Sequence, residues 1–260
     1  MTTARTATAL LAEAGVPNPA HDARALIRHA EGACLDADVL IAERARRVPL
    51  QHLLGSAGFR YLDLAVGPGV FIPRPETELL VDAVLDAIRP LDSAVVVDLC
   101  AGSGAIGLSV AHEAGAQVHL VENSPEAFAW LRRNAEGRDH VHLHLCDLTV
   151  GPVGFDAAVD VVVSNPPYVP DSDRWRVEPE VRDHDPAQAL WAGPDGLDVI
   201  RAVVPRASSL LRPGGTLVVE HADEQGQSVP ELFRRAGFVR VTDHPDLAGR
   251  PRYTTGRQPW

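Results

Sequence analysis

The sequence predicts an α/β fold: a mainly parallel sheet with helices on both faces, preceded by a small helical module and a β-hairpin. Three observations carry this. From residue 76 onward, short apolar segments such as Val95-Val96-Val97 alternate with amphipathic helical ones, the pattern of strands buried on both faces. A glycine-rich stretch, Gly102 to Gly107, lies between one such strand and the next helix. The first 47 residues are rich in Ala, Leu and Arg at helical spacing and contain no strand pattern.

The elements follow in order. Ala9-Leu10 and Glu13-Ala14 before Gly15-Val16-Pro17 mark a first helix and its stop. Residues 21–31 give a second helix with Leu26 and Ile27 inward, and residues 36–47 a third. Gly55-Ser56-Ala57-Gly58 breaks the pattern. Residues 59–72 then alternate around Gly67-Pro68-Gly69, which predicts a hairpin turning there, closed by Pro73 and Pro75. Residues 76–88 form a helix with Leu79, Leu80, Val84 and Ile88 on one face. A strand at 95–97 leads to a helix at 104–114, a strand at 118–121 to a helix at 125–134. Ser124 caps that helix and Pro125 opens it. Strands at 141–145 and 160–163 come next, then a helix at 197–211 ended by Pro213-Gly214-Gly215. A strand at 216–219, a helix at 229–236 and strands at 238–241 and 251–255 complete the chain. The expected units are residues 1–56, a linker at 57–75 and an α/β domain at 76–260.

Composition narrows the function. At 260 residues the chain has room for one or two domains of roughly 150 residues. No run of about 18 apolar residues appears, so no membrane-spanning helix is expected, and the N-terminus reads as a helix start rather than a secretory leader. Cys34, Cys100 and Cys146 are too few and scattered for a disulfide framework, which points to the cytoplasm. The net charge is −11. Residues 1–50 carry six charges of each sign, so the deficit lies in the rest, 18 basic against 29 acidic. Such a surface repels phosphate backbones and argues against nucleic acid as partner. All 24 basic residues are Arg. Chemistry that needs a lysine, a Schiff base or a P-loop, is excluded. No heptad or exposed apolar helix face is evident, which predicts a monomer.

The first chemical motif is Asp98-Leu99-Cys100-Ala101-Gly102-Ser103-Gly104-Ala105-Ile106-Gly107, following a strand and opening a helix. Glycines let the backbone turn sharply and approach a ligand, and a helix N-terminus offers free N–H groups. Glu122 ends the next strand about 20 residues on, placed to hydrogen-bond ribose hydroxyls. This predicts an adenosine site. Gly102, Gly104 and Gly107 fit a dinucleotide fingerprint; an acidic residue at the start, Asp98, also fits the loop that holds S-adenosyl-L-methionine (AdoMet). The loop alone leaves both open.

Asn165-Pro166-Pro167-Tyr168 decides between them. Two prolines cannot donate ladder hydrogen bonds, so the apolar strand before them must stop. The stop falls at a strand's carboxyl end, where open α/β sheets bind ligands. The Asn165 side-chain oxygen and the Pro166 carbonyl can together grip the hydrogens of an NH₂ group, and Tyr168 can stack on a planar group beside them.

With these two motifs the chain resembles class I AdoMet-dependent amino methyltransferases. The resemblance sharpens at Phe71-Ile72-Pro73-Arg74-Pro75-Glu76-Thr77-Glu78, which is similar to the linker signature of the HemK/PrmC glutamine methyltransferases that modify peptide-chain release factors. Pro49 to Gly55, Val219-Glu220-His221 with Gln225-Gly226, and Arg252 to Arg257 extend the similarity over nearly the whole chain. It implies a seven-stranded methyltransferase domain, a β-hairpin linker and a helical domain that docks the substrate protein. It also implies methyl transfer to the side-chain N5 of a glutamine. Cofactor contacts would fall on Asp98, Cys100, Ala101, Gly102, Ser103, Gly104, Glu122, Asp147, Leu148 and Asn165. Substrate contacts would fall on Asn165, Pro166, Pro167 and Tyr168, with Asn165, Pro166 and Tyr168 catalytic. Cys100 stands where that family's loop has glycine, narrowing the approach to the methionine part of the cofactor. Leu148 stands where an aromatic often follows the acid, so adenine contact there is apolar without stacking.

Other readings remain. Adenine-N6 methyltransferases use a similar tetrad on a similar NH₂ group, the glycine spacing alone would suit a nicotinamide dehydrogenase, and a non-catalytic AdoMet-binding protein would share the loop. His142, His144 and Cys146 alternate on one strand face; an edge strand accounts for them, and no metal site is expected. Cys34 is expected in the helical core. Arg44, Arg46 and Arg47 read as a solvated helix end. Residues 171–185, with six acids and three arginines, read as a solvated loop beside the tetrad, placed to face a substrate protein or form a lid.

Overall fold

The computed structural model describes residues 3–260. Four helices open the chain: α1 (Ala4–Glu13), α2 (Pro19–Ala33), α3 (Ala37–Ala45) and α4 (Leu50–Leu54). Ala7, Leu11, Val16, Ala23, Leu26 and Ile41 form their own core. Inside this module Arg44 donates to Asp22 at 2.8 Å, a pair almost wholly buried. A carboxylate and a guanidinium can be buried together because each offsets much of the other's desolvation cost. Cys34 is exposed, not in the core: it is the residue after α2, at φ 55°, where the chain turns out of the helix.

Next come β1 (Ser56–Phe59) and β2 (Leu62–Ala65), paired antiparallel. The hairpin turns at Arg60-Tyr61, seven residues before the predicted Gly67-Pro68-Gly69. Arg60 takes φ 49° with no local signal for it. Its anchors are distant: its backbone N–H donates to Glu78, and its guanidinium donates to Asp82 and Glu113. The glycines serve a close approach instead. A Cβ on Gly67 would lie 2.5 Å from the Trp130 ring, whose Nε1 donates to the Pro68 carbonyl.

The remaining elements are α5 (Glu78–Ile88), β3 (Val95–Leu99), α6 (Ala105–Ala114), β4 (Gln117–Glu122), α7 (Pro125–Asn134), β5 (Val141–Leu145), β6 (Val159–Ser164), α8 (Pro179–His184), α9 (Ala187–Leu190), α10 (Asp198–Leu210), β7 (Leu211–Glu220), α11 (Ser228–Arg235), β8 (Val239–Pro245) and β9 (Pro251–Arg257). The sheet has seven strands in the order β5-β4-β3-β6-β7-β9-β8. β3 to β7 are mutually parallel, and β9 runs antiparallel to β7 and β8. α5 and α6 cover one face with Leu80, Val84, Ile106, Leu108 and Val110; α10 and α11 cover the other with Ile200, Val203, Leu210, Val229 and Phe233. Because both faces are covered, β3 and β6 read as continuous apolar runs rather than alternating ones.

β7 begins earlier than predicted. Leu211 pairs with Val159 and Thr216 with Val161, so Pro213-Gly214-Gly215 is a bulge within the strand rather than a stop before it. α8 is a short helix within residues 171–185, read from the sequence as loop; α4 and α9 are short helices in segments to which the sequence pattern assigned no element. The functional consequence of this topology is the switch between β3 and β6. From there the chain winds outward in both directions, which opens a crevice above the strands' carboxyl ends.

Candidate active site

A cavity of about 480 Å³ occupies that crevice, within the range of small-molecule sites. Four segments that each follow a strand line it: residues 100–103 after β3, Glu122 to Ser124 at the end of β4, Asp147 to Thr149 after β5, and Asn165 to Val169 after β6. Of the predicted residues, Cys100, Ala101, Gly102, Ser103, Glu122, Asp147, Leu148, Asn165, Pro166, Pro167 and Tyr168 therefore meet in one place.

Asp98 and Gly104 are set behind the wall rather than on it. Asp98 is 1 % exposed, and its Oδ2 accepts from the Gly107 N–H at 3.0 Å, tying the end of β3 to the first turn of α6. Burial pushes this carboxyl up to about 7, and its Oδ1 has no hydrogen-bond partner among the described residues. A Cβ on Gly104 would meet Leu108 and Leu131 at 2.7 Å, so this glycine serves packing. Gly102 differs: at φ +56° it has nothing within 4 Å of the missing Cβ and borders the cavity, leaving room for a ligand against the backbone.

Glu122 organises the loop. Its carboxylate accepts from the N–H groups of Gly102 (2.8 Å), Asn123 (2.9 Å) and Ser124 (2.8 Å). Oε1 accepts two of these bonds and Oε2 one, so Oε2 keeps a lone pair for a further donor such as a ribose hydroxyl. Cys100 sits at φ +67°, a conformation that costs a side-chain-bearing residue on the order of 1–2 kcal/mol. Burial raises its thiol far above the ordinary range, so it is a neutral wall atom and not a nucleophile.

The tetrad is held by side chains. Asn165 Nδ2 donates to Thr77 Oγ1 at 3.1 Å, Tyr168 Oη donates to Glu220 at 3.1 Å, and Gln225 Nε2 donates to the Tyr168 carbonyl at 3.0 Å. With its amide nitrogen engaged, Asn165 Oδ1 accepts no hydrogen bond among the described residues and is left as an acceptor. Burial pushes Glu220 up to about 7 and the Tyr168 hydroxyl well above its usual range.

A family described as the methyltransferase small domain matches residues 62–178. The release factor glutamine methyltransferase of Streptomyces coelicolor is 49 % identical over 269 residues, covering 97 % of this chain and 95 % of that one. That of Mycolicibacterium smegmatis is 46 % identical over 268 residues, covering 96 % and 94 %. The chain belongs to the release factor glutamine methyltransferase family. Its methyl donor is AdoMet. A methyltransferase from Pyrococcus furiosus, 17 % identical, superposes with a TM-score of 0.54 over 84 % of this chain and all of that one, a likeness of fold.

Within this methyltransferase frame, several wall residues escaped sequence reasoning. Phe71 and Arg74 stack with the guanidinium 4.8 Å from the ring centroid, and both line the cavity together with Thr77, Gln188 and Val181. All three of Phe71, Arg74 and Thr77 lie in the 71–78 signature, which read as a linker. Two of the three arginines expected in solvent are not there. Arg44 is 5 % exposed and bonds Glu180 at 2.7 Å; Arg47 bonds Glu180 at 2.9 Å. The 171–185 segment is therefore strapped to the helical module rather than free in solvent. Arg74 anchors its far end through buried Asp185. His142 and His144 do lie on the edge strand, where His119 of the neighbouring strand stacks on both rings.

Proposed function

We propose that the protein transfers the methyl group of AdoMet to the side-chain N5 of a glutamine in a peptide-chain release factor. The observation that carries this is the free Oδ1 of Asn165. It is held by Thr77 beside Pro166, in the same cavity as the loop of residues 100–103. The full-length similarity to release factor glutamine methyltransferases supports the choice of acceptor.

The residues fit the donor. Gly102 leaves backbone clearance, Glu122 Oε2 offers an acceptor for a ribose hydroxyl, and Leu148 offers an apolar contact for adenine. When bound there, AdoMet supplies an electrophilic methyl on a sulfonium. The chain's own task is to position an amide nitrogen, a poor nucleophile because its lone pair is delocalised into the carbonyl. Asn165 Oδ1 and the Pro166 carbonyl accept its two hydrogens and hold it in line with the donor. Orientation of this kind contributes roughly 7–11 kcal/mol in favourable cases. As the nitrogen becomes tetrahedral and positive, both acceptors bind it more strongly, so they favour the transition state over the ground state. Tyr168 closes one wall. The methylated nitrogen then loses a proton readily, and no strong general base is needed.

The helical module is proposed to dock the substrate protein. Supporting this, a second cleft of about 310 Å³ lies between Pro17 to Asp22, Arg44, Pro49 to Gln51 and Glu180, and shares Arg74 and Val181 with the cavity. The protein is proposed to act as a cytoplasmic monomer; its exposed free Cys34 suits a reducing compartment. The test is labelled-methyl transfer from AdoMet to purified release factor, DNA and RNA in parallel, with mass mapping of the product. One methyl on a glutamine is expected. Label on adenine, which the net charge of −11 disfavours, or on nothing, overturns the proposal.

A further inference from the structure

The tetrad has few means of holding its own main chain. Pro166 and Pro167 have no N–H to donate. Among the described residues, one side chain donates to that stretch of backbone: Gln225 Nε2 reaches the Tyr168 carbonyl at 3.0 Å. Gln225 is 6 % exposed, lies on a single turn (Asp223–Gln225) between β7 and α11, and is not part of the cavity wall. The same nitrogen donates to the carbonyls of Asp195 at 3.2 Å and Gly196 at 3.3 Å, while Gln225 Oε1 accepts from the Ala222 N–H at 3.0 Å.

These partners admit one orientation of the Gln225 amide. Flipped, its oxygen would face three carbonyls and its NH₂ an N–H. One side chain thus joins three loops: the tetrad after β6, the residues before α10 and the turn after β7. Gly196 shows how close the junction is. It takes φ +71°, and a Cβ there would collide with the Tyr168 carbonyl oxygen and lie 2.8 Å from Gln225 Nε2. The far end of Tyr168 is held as well, its hydroxyl donating to Glu220 at the end of β7. The Pro166 carbonyl lies two residues before the pinned one. The proline rings fix φ at both residues between, so a shift at Tyr168 is passed back along the chain rather than absorbed.

We propose that Gln225 is a positioning residue for methyl transfer: by pinning the Tyr168 carbonyl, it holds the Pro166 carbonyl and the Tyr168 ring where they meet the acceptor amide. This inference rests on the proposed acceptor chemistry and adds to it a source for the tetrad's main-chain position. Gln225 reaches no reacting atom; it acts through Tyr168. A misplacement of about 1 Å can cost on the order of 10²-fold in rate, so a clamp outside the cavity can govern turnover inside it.

The experiment compares wild type with Gln225→Met, Gln225→Glu, Gly196→Ala and a control, Val229→Ala. It reads kcat and KM for a release-factor acceptor, AdoMet affinity by titration and melting temperature, with all assays below the lowest melting temperature of the set. Gln225→Met keeps the length and loses the bonds; kcat is expected to fall about tenfold, with acceptor KM within about threefold and AdoMet affinity within about twofold of wild type. Gln225→Glu sets a carboxylate oxygen against three carbonyls and should lower kcat further. Gly196→Ala pushes on the Tyr168 carbonyl from the other side and should repeat the pattern with Gln225 intact. Val229 is fully buried and makes none of these bonds, so Val229→Ala should lower the melting temperature and leave kcat within about twofold of wild type. One readout needs no acceptor protein: in tyrosine-labelled protein the Tyr168 ring signals should shift in Gln225→Met and Gly196→Ala and stay in place in Val229→Ala. Wild-type kcat in Gln225→Met, AdoMet affinity falling in step with kcat, an equal kcat loss in Val229→Ala, or unmoved Tyr168 signals would each overturn the inference. Wild-type protein that methylates no release factor would instead overturn the proposed acceptor, while the Tyr168 signals still decide the clamp.

Discussion

The two segments that meet in the cavity are built by opposite means. The loop after β3 is shaped by its own backbone. Cys100, Gly102 and Gly104 all take positive φ, Ala101 N–H donates to the Val121 carbonyl at 3.0 Å, and Gly104 N–H donates to Ala101 at 2.8 Å. Two side chains anchor it: Glu122 accepts from the Gly102 N–H and Asn134 donates to the Ser103 carbonyl, 20 and 31 residues away. The tetrad after β6 is stiffened by two prolines and then fixed from afar. Thr77 is 88 residues distant, Glu220 is 52 and Gln225 is 57. The difference matches the tasks. A cofactor is gripped by backbone N–H groups and clearance, which tolerate side-chain change. An amide nitrogen must be aimed, and aiming needs side chains locked in one rotamer by a supporting layer.

Four measurements would break or sharpen this contrast. The largest effect is expected at the tetrad: Asn165→Ala should lower single-turnover methyl transfer by about 10²–10³-fold, the scale for loss of one preorganised polar group at a reacting centre, while AdoMet affinity stays within a few-fold. Unchanged turnover would remove Asn165 from the mechanism. At the loop, Glu122→Ala leaves three backbone N–H groups without an acceptor. AdoMet affinity by calorimetry should weaken by roughly 10–100-fold, following about 1–3 kcal/mol for unsatisfied groups.

The third prediction concerns pH. Glu220 faces Thr77, Tyr168, Arg252 and Glu76, and burial raises it to about 7. The Tyr168 hydroxyl donates to this carboxylate, and protonation weakens the bond that holds the tetrad, so kcat should fall as pH drops below about 7. Glu220→Gln should flatten that limb. Stability should run the other way. Asp98 and Glu220 are both raised above their unfolded values, so the folded state favours their protonated forms. That contribution is full below about pH 4 and lost as pH rises to about 7, so the melting temperature should decline between about pH 4 and 7 and level off above. The smallest effect is expected for Gly102→Ala. Strain of about 1 kcal/mol at φ +56° predicts roughly fivefold weaker AdoMet binding with kcat untouched. A loss confined to kcat would blur the distinction between the two segments.

Much of the fold was legible in the sequence because its signals are local. Residues 125–134 form the expected helix, its start where Ser124 and Pro125 place it, and Ser124 Oγ accepts from the Ala127 N–H at 3.2 Å. The apolar runs became the central strands. The hairpin turn was misplaced because Arg60 carries no turn signature; Glu78, Asp82 and Glu113 impose it. Arg44 and Arg47 looked like a solvated helix end because their acidic partners, Glu178 and Glu180, lie more than a hundred residues further along the chain. The candidate site divides in the same way. Eleven of its predicted residues share one wall, since glycines, prolines and a terminal carboxylate announce a strand's end. Thr77 and Glu220 stood out only within the 71–78 and 219–221 similarities, because the side chains they hold, Asn165 and Tyr168, lie in another element.

What the chain determines by itself is the set of strands, the bends after them and the residue types at those bends, because periodicity, glycine and proline act within a few residues. The tertiary structure alone decides which end of an amide faces the cavity, which arginine is dry and which carboxyl holds a proton at neutral pH. Those depend on burial and on partners that only packing brings within a hydrogen bond's length.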